Sequence, residues 1–309
     1  MKRNFTYSIT ESEADMTVEQ FLLSRGYSRH LIIDLKKSPD YLTVNGSHVY
    51  VTRRLKSGDS LQVLLPEDTA SPGIVPTPMN LNIVYEDDDL IVLNKTADLP
   101  IHPSQGNFSN TLANGMAWYF AEKGEPFVYR VINRLDRDTT GLLILAKHAL
   151  SACILSDMIK KRQIHRTYLA AADGDIRDIC PSPDAASADG ICCTISAPIA
   201  RVDGSTIERT VDFHRGEPAR THLRLISYNP SLDTSLLELT LDTGRTHQIR
   251  VHLSYAGHPL FGDFLYNPDY RYIRRQSLHS WKLDFCHPIS GQALSFTAPV
   301  PDDMRIFTS

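Results

Sequence analysis

The stretch Arg134-Leu135-Asp136-Arg137-Asp138-Thr139-Thr140-Gly141, running on into Leu142-Leu143-Ile144-Leu145-Ala146, decides how this chain is read. Acids enclosed by arginines stand directly before an apolar, strand-forming run, a pattern that presents a carboxylate from a loop at the rim of a sheet, where chemistry tends to sit. Alone, the same letters also describe a surface turn, because exposed arginine–aspartate pairs are common and contribute little. The surroundings tip the balance. Behind the run, His148 to Lys161 predicts a helix with Ile154, Leu155 and Met158 inward and a basic C-terminal end. From Tyr129 to Tyr168 there are eight Lys or Arg against three acids, in a chain whose net charge is -4. The local excess matters more for a nucleic-acid partner than the total, since the surface in contact neutralises the phosphates.

Outward from this centre, Thr17 to Gly26 predicts a helix capped by Thr17, with Val18, Phe21 and Leu22 on one face, and Ser28 to Ser38 predicts a second capped by Ser28. Asn45-Gly46 between alternating segments predicts a hairpin, and Ser60 to Leu65 a strand. Pro66 to Pro78, rich in Pro, Ser and Thr, reads as a linker. Ile83 to Lys95 gives two strands around Glu86-Asp87-Asp88-Asp89, taken as a solvated turn, and Asn110 to Lys123 gives a helix. Asp175 to Ala197 reads as a surface excursion, Leu223 to Ser227 and Leu236 to Asp242 as paired strands. Thr246 as cap, Gly257 as stop and Pro259 beyond them predict a helix on which His247 and Arg250 share a face.

At 309 residues the chain has room for two domains. Its five cysteines, without C-x-x-C spacing, argue against a disulfide framework and a zinc site, and the twelve scattered histidines give no metal-ligand spacing, so no metal is expected. There is no phosphate-binding loop, no apolar run near the ~20 residues of a membrane span and no signal-peptide pattern, which places the protein in the cytoplasm.

The central octapeptide resembles the catalytic loop of the RluA-type pseudouridine synthases, His-Arg-Leu-Asp-Arg/Lys-x-Thr-Ser-Gly, with Asn133 where His is usual and Thr140 where Ser is usual. Further blocks carry the likeness. Arg166-Thr167-Tyr168-Leu169-Ala170 is similar to K-x-Y-x-A, Thr243 to His252 to T-G-R-T-H-Q-I-R-V-H, and Leu278 to Pro288 to L-H-A-x-x-L-x-F-x-H-P. Lys95 to Pro103 is similar to K-x-x-G-L-x-x-H-P, with Asp98 in place of Gly. The resemblance implies an α+β pseudouridine synthase fold, a mixed, largely antiparallel sheet with flanking helices and a central cleft, in residues 81–309. Residues 1–72 resemble a small S4-like α+β RNA-binding module, with 73–80 as linker.

The family pattern implies Asp136 as the catalytic carboxylate, Arg250 as its partner, Tyr168 against the base and Leu283 in the uracil pocket. Arg134 is suited to fill the space left by a flipped base, because its planar guanidinium stacks and donates at once. Arg137, Lys147, Lys161 and Arg245 are expected to hold phosphates, and His247 to line the substrate site. The chemistry needs no cofactor, the partner is ribosomal or transfer RNA, and neither a membrane nor an obligate protein partner is implied. Two rival readings remain: an RNA-binding protein with an inactive synthase domain, and a two-carboxylate hydrolase using Asp136 and Asp138.

Overall fold

The computed structural model describes residues 3–71, 73–179 and 193–308. Its N-terminal part holds β1 (Asn4–Ser8), α1 (Val18–Ser24), α2 (Arg29–Leu35), β2 (Leu42–Val44), β3 (Ser47–His48) and β4 (Ser60–Leu64). Thr17 and Gln20 cap α1 reciprocally, and the Ser28 hydroxyl accepts from the Leu31 amide at the start of α2, so both helices begin at their capping residues. Asn45 and Gly46 both take positive φ, which the β2–β3 turn requires. The strands pair antiparallel in the order β1-β4-β2-β3, and Leu42, Val44, Leu61 and Val63 bury Val18, Phe21 and Leu22.

The remaining strands are β5 (Ile83–Glu86), β6 (Leu90–Lys95), β7 (Thr140–Ala146), β8 (His165–Asp173), β9 (Cys193–Ser196), β10 (Ile199–Arg201), β11 (Arg209–Val211), β12 (Arg220–Asn229), β13 (Thr234–Leu241), β14 (Leu278–Cys286) and β15 (Ala293–Thr297). The helices are α3 (Leu112–Glu122), α4 (Ala149–Lys160) and α5 (Gln248–Tyr255). One sheet runs β5-β6-β7-β14-β8-β13-β12-β9 with β15 on β14; β10 and β11 form a separate ribbon. Among the described strands only β7 and β14 pair parallel, so the sheet is mixed and largely antiparallel. Alternation along β6 and β7 sends Ile91, Leu93, Leu143 and Leu145 toward α3 and α5, and Leu90, Val92, Leu142 and Ile144 toward α4. Both faces are therefore covered, which explains an apolar run in β7 with no polar break.

Three expectations change. The acidic turn is only partly solvated: Asp88 is exposed, but Glu86 binds Lys123 and Lys147, Asp87 binds His287, and Asp89 binds Arg3 and His148. The Pro-rich segment is tied down, through Asp68 to Arg130, Val75 O to the Asn114 amide, and Met79 packed on Gly115. The N-terminal core continues into α4, where Leu150 joins it and Ile154 lies against Gly26. Of the excursion over Asp175–Ala197, residues 180–192 lie outside the described residues. Its ends are structured, as a 3-10 turn at Ile176–Asp178 and as β9 paired to β12.

Candidate active site

The loop from Asn133 to Thr139 leaves a short strand-like segment on β7, where Ile132 N donates to Ile144 O and Ala146 N to Arg130 O, and closes with Thr139 N on Asp136 O. It re-enters the sheet at Gly141, whose φ is +109° and where a Cβ would stand 2.2 Å from Ser280 O; only glycine allows β7 and β14 to approach so closely. Two cations hold the loop carbonyls. Lys95 Nζ donates to Arg137 O at 2.6 Å and Thr96 O at 2.7 Å, and Arg275 reaches Asp138 O at 3.3 Å. Burial pushes the Lys95 ammonium down to about 7 although Asp138 and Asp136 pull the other way.

Asp136 meets Arg250 from α5, with Nη1 donating to Oδ2 at 2.9 Å. The other side of the guanidinium is gripped by Asp263 through Nε at 2.6 Å and Nη2 at 2.7 Å, a two-point fork that fixes the plane of the arginine. Arg250 is 1% exposed and Asp263 0%, while the Asp136 side chain is 27% exposed. Burial opposes the charge on Arg250, but Asp263 and Asp136 hold its pKa above the ordinary value. His247 lies 3.9 Å from Asp136 Oδ2, and burial lowers its pKa despite that carboxylate. Asp136 Oδ1 makes no hydrogen bond with any described residue. The residue lines a cleft of 540 Å³ whose walls include Arg134, Tyr168, Arg245, His247, Ile249 and Leu278.

The positions expected at the site divide. Asp136, Arg134, Tyr168, Arg245, His247 and Arg250 come together at this cleft. Arg134 is exposed and, among the described residues, has no ion-pair partner; Arg245 is exposed and pairs with Glu217. Tyr168 is a buried member of the core cluster that edges the cleft from β8. Arg137 is turned to Asp138 and Asp98. Lys161 is exposed at the end of α4 and pairs with Asp157; its neighbours Lys160 and Arg162 border the cleft instead.

Two placements are corrections. Lys147 is 7% exposed, bonded to Glu86 and set over the Phe120 ring, because the apolar layer beneath α3 buries its stem, so no phosphate reaches it. Leu283 is 0% exposed within the α4-side cluster, behind a bulge between Ser280 and Lys282, and Leu278 rather than Leu283 is among the aliphatic residues that line the cleft.

Helix α5 starts one residue later than expected, with His247 rather than Thr246 as cap and in the left-handed region (φ +56°). What secures it is Gln248, whose Oε1 accepts from Thr243 and Arg245 N and whose Nε2 donates to Arg220 O. Asp98 takes φ +53°, the conformation for which glycine is favoured and aspartate tolerated, so its departure from the pattern leaves the turn intact. Asp138 accepts from the Asp98 amide and Arg137 and takes no part in the cleft walls, which leaves the two-carboxylate hydrolase without its second acid.

The sequence assigned no site role to Asp263, Lys95 or Tyr266. Tyr266 OH bridges His247 Nδ1 and Arg209 N, linking the β10–β11 ribbon to the site. Asp263 follows Gly262 in a loop, and no periodicity announces that it turns back onto Arg250.

With this geometry in hand, comparison with known proteins is direct. Residues 89–255 match the family model for RNA pseudouridylate synthase. The chain belongs to the RNA pseudouridylate synthase family, in its RluA-type branch. It is 39% identical over 289 residues to an uncharacterized RNA pseudouridine synthase, YjbO, of Bacillus subtilis, covering 94% of this chain and 97% of that one. It is 36% identical over 270 residues to the ribosomal large subunit pseudouridine synthase D of Zymomonas mobilis, covering 82% and 79%. Among solved structures, human RNA pseudouridylate synthase domain containing 1 superposes with a TM-score of 0.56 at 27% identity, over 71% of this chain and 83% of that one.

Proposed function

We propose that the protein isomerises particular uridines of a structured ribosomal or transfer RNA in the cytoplasm, with Asp136 as the reacting carboxylate. The observation that carries this is the asymmetry of Asp136: one oxygen is held by the buried Arg250, the other has no hydrogen-bond partner among the described residues, and the part-exposed side chain lines a cleft edged by Tyr168. The reaction breaks the N1–C1′ bond, turns the uracil while it is held, forms C5–C1′ and moves the C5 proton off the ring as N1 regains one, so atoms and electrons balance within the nucleotide. Asp136 either attacks or stabilises the ribose as positive charge develops, and Arg250 keeps the carboxylate in place for that step. Tyr168 lies where a flipped base would stack and is the candidate to assist loss of the C5 proton.

Extruding a base costs a few kcal/mol, and Arg134, at the cleft and without an ion-pair partner among the described residues, is free to occupy the vacated stack. A second groove of 510 Å³, lined by Arg201, Arg209 and Arg215, shares Arg134 and Arg245 with the cleft. With Lys160, Arg162 and Arg166 it offers the RNA backbone a basic track in a chain of net negative charge. The part of the chain before the linker, with its S4-like order of helices and strands, adds RNA affinity in this reading. Purified protein should release tritium from RNA labelled at uridine C5. Failure to do so on total RNA from cells lacking the gene would return the protein to the class of RNA binders.

A further inference from the structure

Asn133 enters the site one residue ahead of Arg134. Its Oδ1 accepts from Ile144 N at 2.9 Å and so extends, with a side chain, the backbone pairing made by Ile132 and Arg130. That bond settles which end of the amide is which: the oxygen is engaged with β7, and Nδ2 points the other way. Nδ2 is buried and has no hydrogen-bond partner among the described residues, in a side chain that is 4% exposed and borders the cleft. A buried amide donor without an acceptor is rare and calls for one. The other side-chain amide on the cleft wall, Gln248, has both ends committed to Thr243, Arg245 N, Arg220 O and Thr221.

We propose that Asn133 reads the flipped base, with Nδ2 donating to a carbonyl oxygen of uracil while Oδ1 anchors the loop to β7. The inference rests on the uridine-isomerising reading above. Because Nδ2 is buried, entry of the base must open a path to it; Arg134, adjacent, exposed and without an ion-pair partner among the described residues, is free to move. Uracil offers acceptors at C2 and C4, and a buried donor placed for one of them rejects a ring that lacks it. A histidine at this position, usual in the resembling family pattern, carries the same two functions on separate ring nitrogens, one accepting from Ile144 N and one donating. The exchange of His for Asn thus preserves the contact.

The test uses the full chain and an RNA whose target uridine is replaced by 2-thiouridine or 4-thiouridine, sulfur being the weaker acceptor. One of the two replacements should lower wild-type kcat/KM by roughly five- to a hundredfold. In Asn133→Ala the same replacement should cost nothing further. Asn133→His should restore wild-type turnover near neutral pH and lose it as the ring protonates, because a protonated ring has no acceptor for Ile144 N. If Asn133→Ala does not fold, Asn133→Asp takes its place, since it keeps the acceptor and lacks the donor. Losses that multiply in the variant, or a wild type indifferent to both sulfurs, would overturn the proposal. A wild type that converts no uridine in any RNA overturns the isomerase reading instead, so the two failures are told apart.

Discussion

Asp136 and Asp89 are each held by an arginine beside a histidine, yet the two regions are built for opposite ends. Asp89, 4% exposed, receives Arg3 through two nitrogens and His148 through Nε2, with His287 3.7 Å away. His148 Nδ1 accepts from Ser151 N, and His287 Nδ1 from Ile289 N and Ser290 N, so both rings carry their proton on Nε2, toward the acids. That tautomer takes away the His287 nitrogen from the cluster of Asp87, Asp89 and His287, whose donor atoms lie within 4.8 Å of one another. At Asp136 the arginine is aimed from one side only, by Asp263, and the second oxygen is left to the cleft. Asp89, buried with three donors on Oδ1, ties β1 to the β5–β6 turn, whereas Asp136, part-exposed beside a cleft with ample room for a nucleotide base, can react.

The comparison breaks most sharply at its centre. Asp136→Asn keeps the size and much of the hydrogen bonding of the side chain but removes the charge that meets the developing ribose cation. Turnover should fall by more than about a thousandfold, roughly 4 kcal/mol of barrier, while RNA affinity persists. Asp138→Asn, whose carboxylate serves the Asp98 turn, should stay active. Single-turnover tritium release on the two variants decides whether the open oxygen is the one that matters.

Asp263 sharpens the same point at one remove. Asp263→Asn leaves Arg250 buried with half its compensation, and losing one partner of such a pair costs about 3–5 kcal/mol. We expect a lower unfolding temperature together with a fall in kcat that exceeds any change in RNA affinity, since Arg250 would no longer be held in plane against Asp136. A variant that weakens RNA binding and keeps its kcat would move Arg250 to the phosphate contacts.

How much of this was legible in the letters differs by element. The caps at Thr17 and Ser28, the Asn45-Gly46 turn and the β7 run follow from local chemistry, and each is where local chemistry put it. The convergence of Asp136, Tyr168 and Arg250 was carried by the family pattern, because partners separated by up to 114 residues leave no periodic trace. Lys147 and Leu283 were misplaced because a motif records which residue is present and not which layer buries it. The acidic turn misled for a related reason. Four consecutive acids look solvated until Arg3, Lys147, His148 and His287 arrive from distant parts of the chain and leave Asp88 the exposed one.

Lys95 supplies a pH test of the loop. Its folded pKa of about 7 lies well below the 10.5 of a free lysine, so between those values the unfolded chain holds a proton that the folded chain has released. Stability from this group therefore rises as pH climbs through that window and is flat below it, where both states are protonated. Against Lys95→Met, wild type should gain thermal stability from pH 7 to 9 by melting scans. Parallel pH profiles for the two proteins would show that the ammonium is not desolvated in the way its burial between Thr96 O and Arg137 O requires.

The smallest effect belongs to the Asp89 region. Arg3→Ala removes two hydrogen bonds to Asp89 and one to Asp88, but His148 remains on Asp89, so the carboxylate is not stranded. With the Arg3 side chain a quarter exposed, the loss should be about 1–2 kcal/mol, visible as a drop of a few degrees in unfolding temperature. Tritium release at saturating RNA should be unchanged, because the cation acts on the joint between β1 and the β5–β6 turn and on nothing in the cleft. Should Arg3→Ala lower kcat as Asp263→Asn is expected to, the two regions are coupled through α4 and β7, and the division drawn between a joining carboxylate and a reacting one fails at that joint.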